Sequence, residues 1–407
     1  MPEMTLSPSV DRLLKSGVVM PDPAAVQVDD AVAPERVAPG VWLHPGTRLR
    51  GAETSIGPGC EIGGEGPATL EGCQLGHGVA FKGGYAAGCV FLDRAEMGSG
   101  AHLRSGTLLE EQACGAHAVG LKQTILLSYV TLGSLINFCD VLMAGGTSRT
   151  NHSEVGSSFV HFNFTPHGDK ATPSLIGDVP RGVLLDQAPI FLGGQGGLVG
   201  PARIEYGVVT AAGTVQRGDA LSPGFLYNAG GGAAPPAQPH LYPLGRYGAL
   251  TQRVRNNLIY IGNIRALQAW YRDVRPHTMS QDPYREACRV GALQQLDGAI
   301  RERLKRLDGL AQKMPRSMEL LETETGEQCA SFAAQQKQFM NQWPAMREAL
   351  AEAPDANPGA AARARFLEGW SRTKADTHTG AVQSLPSEAR QAATDWLQSL
   401  VDHVSGG

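Results

Sequence analysis

Ile56-Gly-Pro-Gly-Cys-Glu-Ile62-Gly is the stretch of sequence that decides the fold. An aliphatic residue returns after six positions, and a glycine follows it each time. The start of this unit recurs along the first half of the chain, at Leu75-Gly-His-Gly, Met97-Gly-Ser-Gly, Leu132-Gly-Ser, Val155-Gly-Ser and Ile176-Gly-Asp. Strands of a β-sandwich alternate with period two and helices repeat about every 3.6 residues, so neither explains a period of six.

A left-handed parallel β-helix does explain this spacing. Each hexad supplies one short strand and one turn, three hexads close a triangular coil, and the aliphatic side chain points inward. The sequence therefore predicts a mainly β fold, with a left-handed parallel β-helix over residues 23–228 and an α-helical C-terminal region after it. Breaks in the repeat predict insertions, the usual carriers of function, near residues 63–72, 83–96, 105–118 and 143–154.

The remaining segments divide the chain into four parts. Residues 1–22 are predicted to form an N-terminal helix and lead-in, and residues 229–240 a Gly/Ala/Pro linker. Residues 241–407 carry apolar side chains at helical spacing and are predicted to form an α-helical bundle on or beside the solenoid. Its expected helices span residues 250–275, 283–314, 318–352 and 363–404.

Composition excludes several classes of function. The formal net charge is −4, so no overall basic field favours nucleic acid. No window of about 18 apolar residues suggests a membrane span, and the N-terminus lacks the apolar core of a signal peptide. None of the seven cysteines forms a CxxC pair, so we expect a reducing, cytoplasmic location.

Two stretches resemble one known family, the acetyltransferase half of the bifunctional enzyme that makes UDP-N-acetylglucosamine. The first runs from Gly17-Val-Val-Met-Pro-Asp-Pro to Ile62-Gly63. The second comprises Ile176-Gly-Asp178 and then Phe191-Leu-Gly-Gly-Gln-Gly-Gly to Val215. The resemblance covers about half of the chain. It implies a hexapeptide-repeat β-helix, acetyl-CoA as acyl donor and a homotrimer. No Gly-rich nucleotide loop precedes the solenoid, so we expect no uridylyltransferase activity.

The resemblance also implies roles for individual residues. Lys122 matches a substrate-binding Lys, and Asn163-Phe164 followed by Lys170 resembles a later Asn-Tyr and Lys pattern. Counted from Leu132, the family's catalytic His position falls on Asp140. At the acetyl-CoA end, Gly194 stands where a Ser contacts the cofactor, and two alanines match the region of backbone contacts, Ala211 and Ala212.

Chemical reasoning adds one candidate base in the polar segment from His152 to Lys170. Acyl transfer from a thioester needs a base near the attacking group, and His161 precedes Asn163 closely enough to serve. Asp140 is a second candidate, because burial raises the basicity of a carboxylate. Lys122, Lys170, Arg149 and Arg181 are candidates for binding phosphate groups. We expect no metal, because the spacing of His152, His161, His167 and Asp169 matches no usual zinc pattern.

The sequence favours a CoA-dependent acyltransferase that acetylates a sugar phosphate or nucleotide sugar. A non-catalytic sugar-nucleotide-binding or scaffolding β-helix with a decayed active site is the alternative, favoured by Asp140 at the His position. A metal hydrolase built on the same solenoid is a third possibility, which would need histidine ligands from two subunits.

Overall fold

The computed structural model describes residues 6–228, 242–323, 326–351 and 358–406. It contains a parallel β-solenoid of about 11 turns and helices within residues 251–405, with 38% of residues helical and 22% in strands. The predicted left-handed β-helix and the helical region after it are both confirmed. The predicted linker at residues 229–240 lies outside the described residues.

The solenoid is a prism with three faces of parallel strands. The first face is a sheet of the strands Trp42–Leu43, Glu61–Ile62, Ala80–Phe81, Glu96–Met97, Cys114–Gly115, Thr131–Leu132, Glu154–Val155, Phe191–Leu192, Val209–Thr210 and Leu226–Tyr227. The second face contains Gln27–Val28, Arg48–Arg50, Ala68–Glu71, Gly84–Ala87, Ala101–Leu103, Val160–Phe162, Gly197–Val199 and Val215–Arg217. The third contains Ser55–Ile56, Gln74–Leu75, Cys89–Phe91, Thr107–Leu109, Ser174–Ile176 and Arg203–Ile204.

Two longer strands join the second face to the third. Gly120–Leu126 and Asn137–Met143 pair with each other on both sides of the corner. Gln123 and Asp140 lie at the corner itself and have positive φ angles of 49° and 61°. Asp is one of the few non-glycine residues that tolerate this left-handed conformation, so the corner accommodates Asp140.

The two glycines of the unit at Ile56 are favoured for different structural reasons. A Cβ atom on Gly57 would lie 2.6 Å from the carbonyl oxygen of Gly76 in the next coil, so the first glycine permits close stacking. Gly59 has a φ of +71° at a corner of the prism. Arg94 and Gln112 adopt similar φ angles of 59° and 58° at such corners, so this second position is less strictly glycine.

The predicted insertions are only partly correct. An antiparallel hairpin of Gly146–Ser148 and Asn151–His152 does project from the coil within residues 143–154. The other three stretches are wrong, because they contain regular solenoid strands. Small buried residues such as Ala68, Ala86 and Cys89 occupy inward positions there and hide the aliphatic repeat.

Helices account for the rest of the regular structure. In chain order they are α1 Pro8–Lys15, α2 Val179–Gly182, α3 Thr251–Asp273, α4 Pro276–Met279, α5 Pro283–Ala311, α6 Met314–Glu322, α7 Glu327–Ala351, α8 Ala360–Trp370, α9 His378–Gln383 and α10 Ser387–Ser405. Short 3-10 turns cover Pro23–Ala25 and Pro34–Arg36. The helices expected at 318–352 and 363–404 are each divided, because new N-termini form at positions such as Thr377, whose side chain caps α9.

Helices α3 to α10, here called the helical layer, cover the third face, which α3 and α5 contact directly. Helix α5 packs across four successive strands of that face, from Ser55–Ile56 to Thr107–Leu109, and α3 meets Ser174–Ile176. The approach is close, since a Cβ atom on Gly291 of α5 would come within 2.3 Å of Gln74 Oε1. The first and second faces are therefore the ones left open to solvent or partners.

Ion pairs fasten the helical layer to the solenoid. Each joins a carboxylate near a solenoid corner to an arginine of the layer: Asp93 to Arg285 at 2.7 Å, Glu110 to Arg275 at 2.9 Å, Asp169 to Arg253 at 3.1 Å and Asp186 to Arg390 at 3.2 Å. Glu111 pairs with Arg275 and Asp140 with Arg303 in the same way. Arg275 and Arg303 are each 1% exposed, so these two contacts are fully buried.

Candidate functional site

An open groove of about 590 Å³ lies on the second face and contains Lys122. Arg104 lies one coil before Lys122, because their neighbours Leu103 and Leu121 are paired in register. Lys122 is in turn paired with Cys139. Successive coils of a parallel sheet are about 4.8 Å apart, so these three side chains form one column along the groove.

Three cations lie close enough to the thiol of Cys139 to act on its pKa. Burial raises the pKa of this thiol, and the charge of Asp140 raises it further. Three charges act in the opposite direction, those of Arg104, Lys122 and Lys170. Within the described residues none of the three is held in an ion pair. The structure thus brings Lys122 and Lys170, both predicted from the sequence, into one cluster, which we call the cationic cluster.

Lys170 reaches this cluster from an inserted loop, residues 163–173, which joins the second face to the third. Its ammonium group lies 5.8 Å from the ring centre of Phe164, whose side chain is exposed. Asn163 donates a hydrogen bond to Asp140 at 3.1 Å, and Thr172 donates one to the Asn163 carbonyl at 2.8 Å. The predicted pair Asn163 and Lys170 therefore belongs to one ordered loop beside Lys122.

The helical layer holds this loop in place. Arg253 of α3 pairs with Asp169 at 3.1 Å, and Lys313 donates to the carbonyl of His167 at 2.9 Å. The His167 ring is bound further by the Tyr242 hydroxyl at 2.8 Å. Sequence reasoning found no functional role for the helical region, and these contacts show that it positions a loop of the candidate site.

Asp140 lies behind the cationic cluster and is engaged on both oxygens. It is 5% exposed, with Oδ1 bound by Arg303 and Oδ2 by Asn163. Arg303 also reaches the Lys170 carbonyl at 3.4 Å. Asp140 therefore links the loop to the helical layer, and it does not line the groove.

His161 lies inside the solenoid and is 3% exposed. Its Nδ1 donates to the carbonyl of Cys139 at 2.5 Å, and its Nε2 accepts from the Ser174 hydroxyl at 2.8 Å. The Ser174 oxygen in turn accepts the amide hydrogen of Ala202 at 3.1 Å. The ring has no nitrogen free for a substrate, which is a structural argument against the predicted role as base.

The buried ring makes a testable contribution to stability. Burial lowers the pKa of His161 from 6.5 to about 4. Between these pH values the unfolded chain binds a proton that the folded protein does not, so stability decreases as the pH falls through this window. A shift of this size corresponds to about 3 kcal/mol. We expect the His161→Gln variant, compared by urea unfolding at about pH 7 and about pH 4, to lose less stability on acidification than the unsubstituted protein.

The exposed His102 provides the matched control for that measurement. His102→Gln makes the same substitution at an exposed position and shows how much of the change comes from the substitution itself. Equal losses for the unsubstituted protein and the His161 variant would show that His161 is not a buried neutral ring.

The predicted acetyl-CoA contacts lie further along the same side of the solenoid. Gly194 and the pair Ala211–Ala212 stack on successive coils, with the amide of Gly213 donating to the Gly194 carbonyl at 2.9 Å. They mark the corner between the first and second faces. Gly194 belongs to the coil of Gly197–Val199, which is three coil steps from Lys122, or about 14 Å.

The other charged candidates are not part of this cluster. Arg149 donates to the carbonyls of Gln112 and Tyr129, and Arg181 pairs with Asp178 and Glu205. Within the described parts of the chain, no three His, Cys, Asp or Glu side chains are grouped to hold a metal ion. Among the described helices, none is long and apolar enough to cross a membrane.

Sequence reasoning missed three residues that line the groove, namely Tyr85, His102 and Arg104. The rings of Tyr85 and His102 are 5.4 Å apart between centres on adjacent coils. Arg104 could have been found by stepping one coil back from Lys122. The partner of Asp140, Arg303, had no such signal because the two residues are 163 positions apart.

Comparison with known proteins agrees with this solenoid. No family model matches the chain. It is 29% identical over 222 residues to the bifunctional protein GlmU of Nocardia farcinica, covering 54% of this chain and 40% of that protein. The GlmU of Pelobacter propionicus is 30% identical over 218 residues, covering 51% of this chain and 40% of that protein. The chain thus spans about two fifths of the length of these relatives. Over about half of its length the chain is therefore similar to these GlmU proteins, and its β-solenoid fits a hexapeptide-repeat, acetyltransferase-like protein.

Two solved structures are weakly similar. The polysialic acid O-acetyltransferase OatWY is 13% identical, with a TM-score of 0.17 over 53% of this chain and 84% of that one. LpxA from Acinetobacter baumannii is 11% identical, with a TM-score of 0.15 over 69% of this chain and 96% of that one. These scores are too low to support an inference.

Proposed function

We propose that this acetyltransferase-like solenoid is a CoA-dependent acyltransferase whose acceptor is a sugar phosphate or nucleotide sugar bound in the second-face groove. The observation that carries the proposal is the cationic cluster of Arg104, Lys122 and Lys170. Three like charges repel one another, and none of them is neutralised by a carboxylate in an ion pair within the described residues. A phosphate group placed between them would form charge-assisted hydrogen bonds.

The surface beside the cluster suits the acyl group. Phe162 lies one coil beyond Cys139 in the register of the second face, and its side chain is 45% exposed. Phe164 lies beside Lys170 and is 61% exposed. Exposed aromatic side chains next to a polar site provide an apolar contact for a small acyl chain. Acetyl-CoA held at Gly194, Ala211 and Ala212 would lie about three coil steps, or about 14 Å, from Lys122.

Acyl transfer requires a base on the groove side. The acceptor nitrogen or oxygen attacks the thioester carbonyl, gives up its proton, and the carbon–sulfur bond breaks to release CoA. For His161 to serve, its Nε2 would have to release the Ser174 hydroxyl and reach the surface. We assign the base to His102 instead, because it is exposed and lines the same groove as Lys122.

Exposed apolar side chains on the first and second faces support a homotrimer. Large apolar side chains are exposed on the last coils of the first and second faces, where no helix covers them: Phe162, Phe191, Val209, Phe225 and Leu226. Extended exposed apolar surface of this kind is typical of protein contacts. A solution mass of three chains by light scattering is expected, and a monomer would contradict this part of the proposal.

A non-catalytic sugar-nucleotide binder is the alternative, and one observation favours it. Asp140, at the position of the family's catalytic His, is buried and bound by Arg303 and Asn163. A site retained only for binding would keep the cationic cluster and lose turnover.

Calorimetric titration with acetyl-CoA, with a sugar phosphate and with a UDP-sugar tests the proposal. Acetyl-CoA and one phosphorylated sugar should each bind, and at about 100 times its dissociation constant each should add about 2.7 kcal/mol of apparent stability. Binding of the sugar ligand without acetyl-CoA would favour the non-catalytic alternative. Absence of binding by all three would contradict both.

A further inference from the structure

A second cavity, of about 270 Å³, lies between the solenoid and the helical layer. Arg94 and Gln112 line it from a solenoid corner, and Arg285 and His378 line it from the helical layer. It shares no lining residue with the second-face groove. At about 30 Å³ per water molecule its volume equals roughly nine waters, which leaves room for a small organic ligand.

His378 presents an unused acceptor in this cavity. The side chain is 7% exposed, and its Nδ1 lies 3.1 Å from the Thr278 hydroxyl oxygen. We assign the ring hydrogen to Nδ1, because the single hydroxyl hydrogen of Thr278 is then free to bind the Arg275 carbonyl at 3.3 Å. The lone pair then remains on Nε2, which makes no hydrogen bond within the described residues.

The ring remains neutral, which preserves that lone pair. Burial, and then the positive charge of Arg275, hold the pKa of His378 well below its usual value. Trp270 and Trp370 pack edge-to-face against the ring, with centres 5.9 Å and 5.7 Å away. Nε2 is therefore a fixed acceptor for a hydroxyl or amine of a ligand.

Arg94 supplies the unbalanced charge of the cavity. Asp93 pairs with Arg285 at 2.7 Å, and Glu111 is bound by Arg275, which also binds Glu110, so each carboxylate of the lining already has a cationic partner. Arg94 is exposed, and it has no ion-pair partner in the parts of the chain that the structure describes. A ligand that carries a negative charge would give Arg94 an ion-pair partner.

We propose that this cavity binds a small hydroxylated anion, with its carboxylate or phosphate at Arg94 and a hydroxyl group donating to His378 Nε2. Leu92 and Met279 supply the apolar part of the lining, suited to the carbon chain of such a ligand. The ligand would touch both the solenoid and the helical layer. The proposal does not rest on the acyltransferase function, because the two sites share no residue.

Calorimetric titration of the full chain tests the proposal with four probes: glycerol 3-phosphate, glycerate, inorganic phosphate and glycerol. Glycerol 3-phosphate or glycerate should bind more tightly than phosphate or glycerol, and the comparison of the first two identifies the anionic group. Binding should also change the fluorescence of Trp270 and Trp370 beside His378. No binding of either hydroxylated anion at millimolar concentration would overturn the proposal.

Variants then locate the site. Arg94→Gln should weaken binding at least tenfold, as expected for loss of a charge-assisted hydrogen bond. His378→Phe, which keeps an aromatic ring but removes Nε2, should weaken binding of the hydroxylated anions more than that of phosphate. Arg301→Gln, the matched loss of charge at an exposed position of α5, should leave binding unchanged. Binding that is lost in Arg104→Gln and kept in Arg94→Gln would place the anion in the groove and overturn the proposal. Because Arg94 is exposed, its variant decides the question even if His378→Phe fails to fold.

Discussion

Replacing Arg275 with alanine is expected to lower the free energy of unfolding by about 3–5 kcal/mol. Arg275 is 1% exposed and binds Glu110 at 2.9 Å and Glu111 through its other terminal nitrogen. Burial works against the ionisation of Glu111, yet the charge of Arg275 together with smaller charge and hydrogen-bond contacts outweighs it and lowers the pKa of Glu111 to about 2. Without the arginine, two carboxylates would remain buried with no positive charge.

Urea unfolding of three variants measures this effect and separates it from surface electrostatics. Arg372→Ala removes an exposed pair with Glu368, whose side chains are 75% and 68% exposed, and should cost less than about 1 kcal/mol. A triple variant, Arg275→Met with Glu110→Gln and Glu111→Gln, should recover much of the lost stability, because it removes the stranded charges. A loss for Arg275→Ala no larger than that for Arg372→Ala would show that this contact does not fasten the helical layer.

Replacing Lys122 with glutamate is expected to reduce the affinity for a phosphorylated sugar by about 100-fold, since a charged hydrogen bond contributes about 1.5–3 kcal/mol. The substitution puts a negative charge next to Arg104 in the column and beside Lys170. Lys122 is half-buried and its side chain makes no hydrogen bond within the described residues, so the fold should be unaffected.

Lys305→Glu is the matched control, because it makes the same change of charge at an exposed position of α5. Titration of both variants with the phosphorylated sugar measures their affinities. Lys122→Glu reports the effect of charge within the groove, and Lys305→Glu reports the effect of net charge alone. Similar affinities for the two variants would mean that the cationic cluster does not hold the acceptor.

The solenoid could be predicted from the sequence because its repeat is local. Ile56, Gly57 and Ile62 report the hexad directly, and the coil period then relates Lys122 to Cys139 and to Arg104 one coil earlier. The repeat could not be recognised in the sequence where Ala68, Ala86 and Cys89 take the inward positions. A small buried residue satisfies the packing of the prism and carries no aliphatic signal.

The environment of the candidate bases could not be predicted from the sequence. The resemblance placed Asp140 at the catalytic His position, but its partner Arg303 comes from a helix 163 residues away. His161 stands between polar residues, yet the strand Val160–Phe162 points it inward, where Ser174 and the Cys139 carbonyl bind it. A spacing pattern identifies which residues share a coil, and it does not show which surface a separate helical layer covers.

Release of CoA from acetyl-CoA, measured in the presence of individual sugar phosphates and nucleotide sugars, tests whether the solenoid is an acyltransferase. We predict release that depends on one phosphorylated sugar, is abolished in Lys122→Glu and His102→Gln, and persists in Lys305→Glu. A phosphorylated sugar that binds in the groove while no acceptor releases CoA would contradict the assignment as a transferase and identify the solenoid as a binding protein.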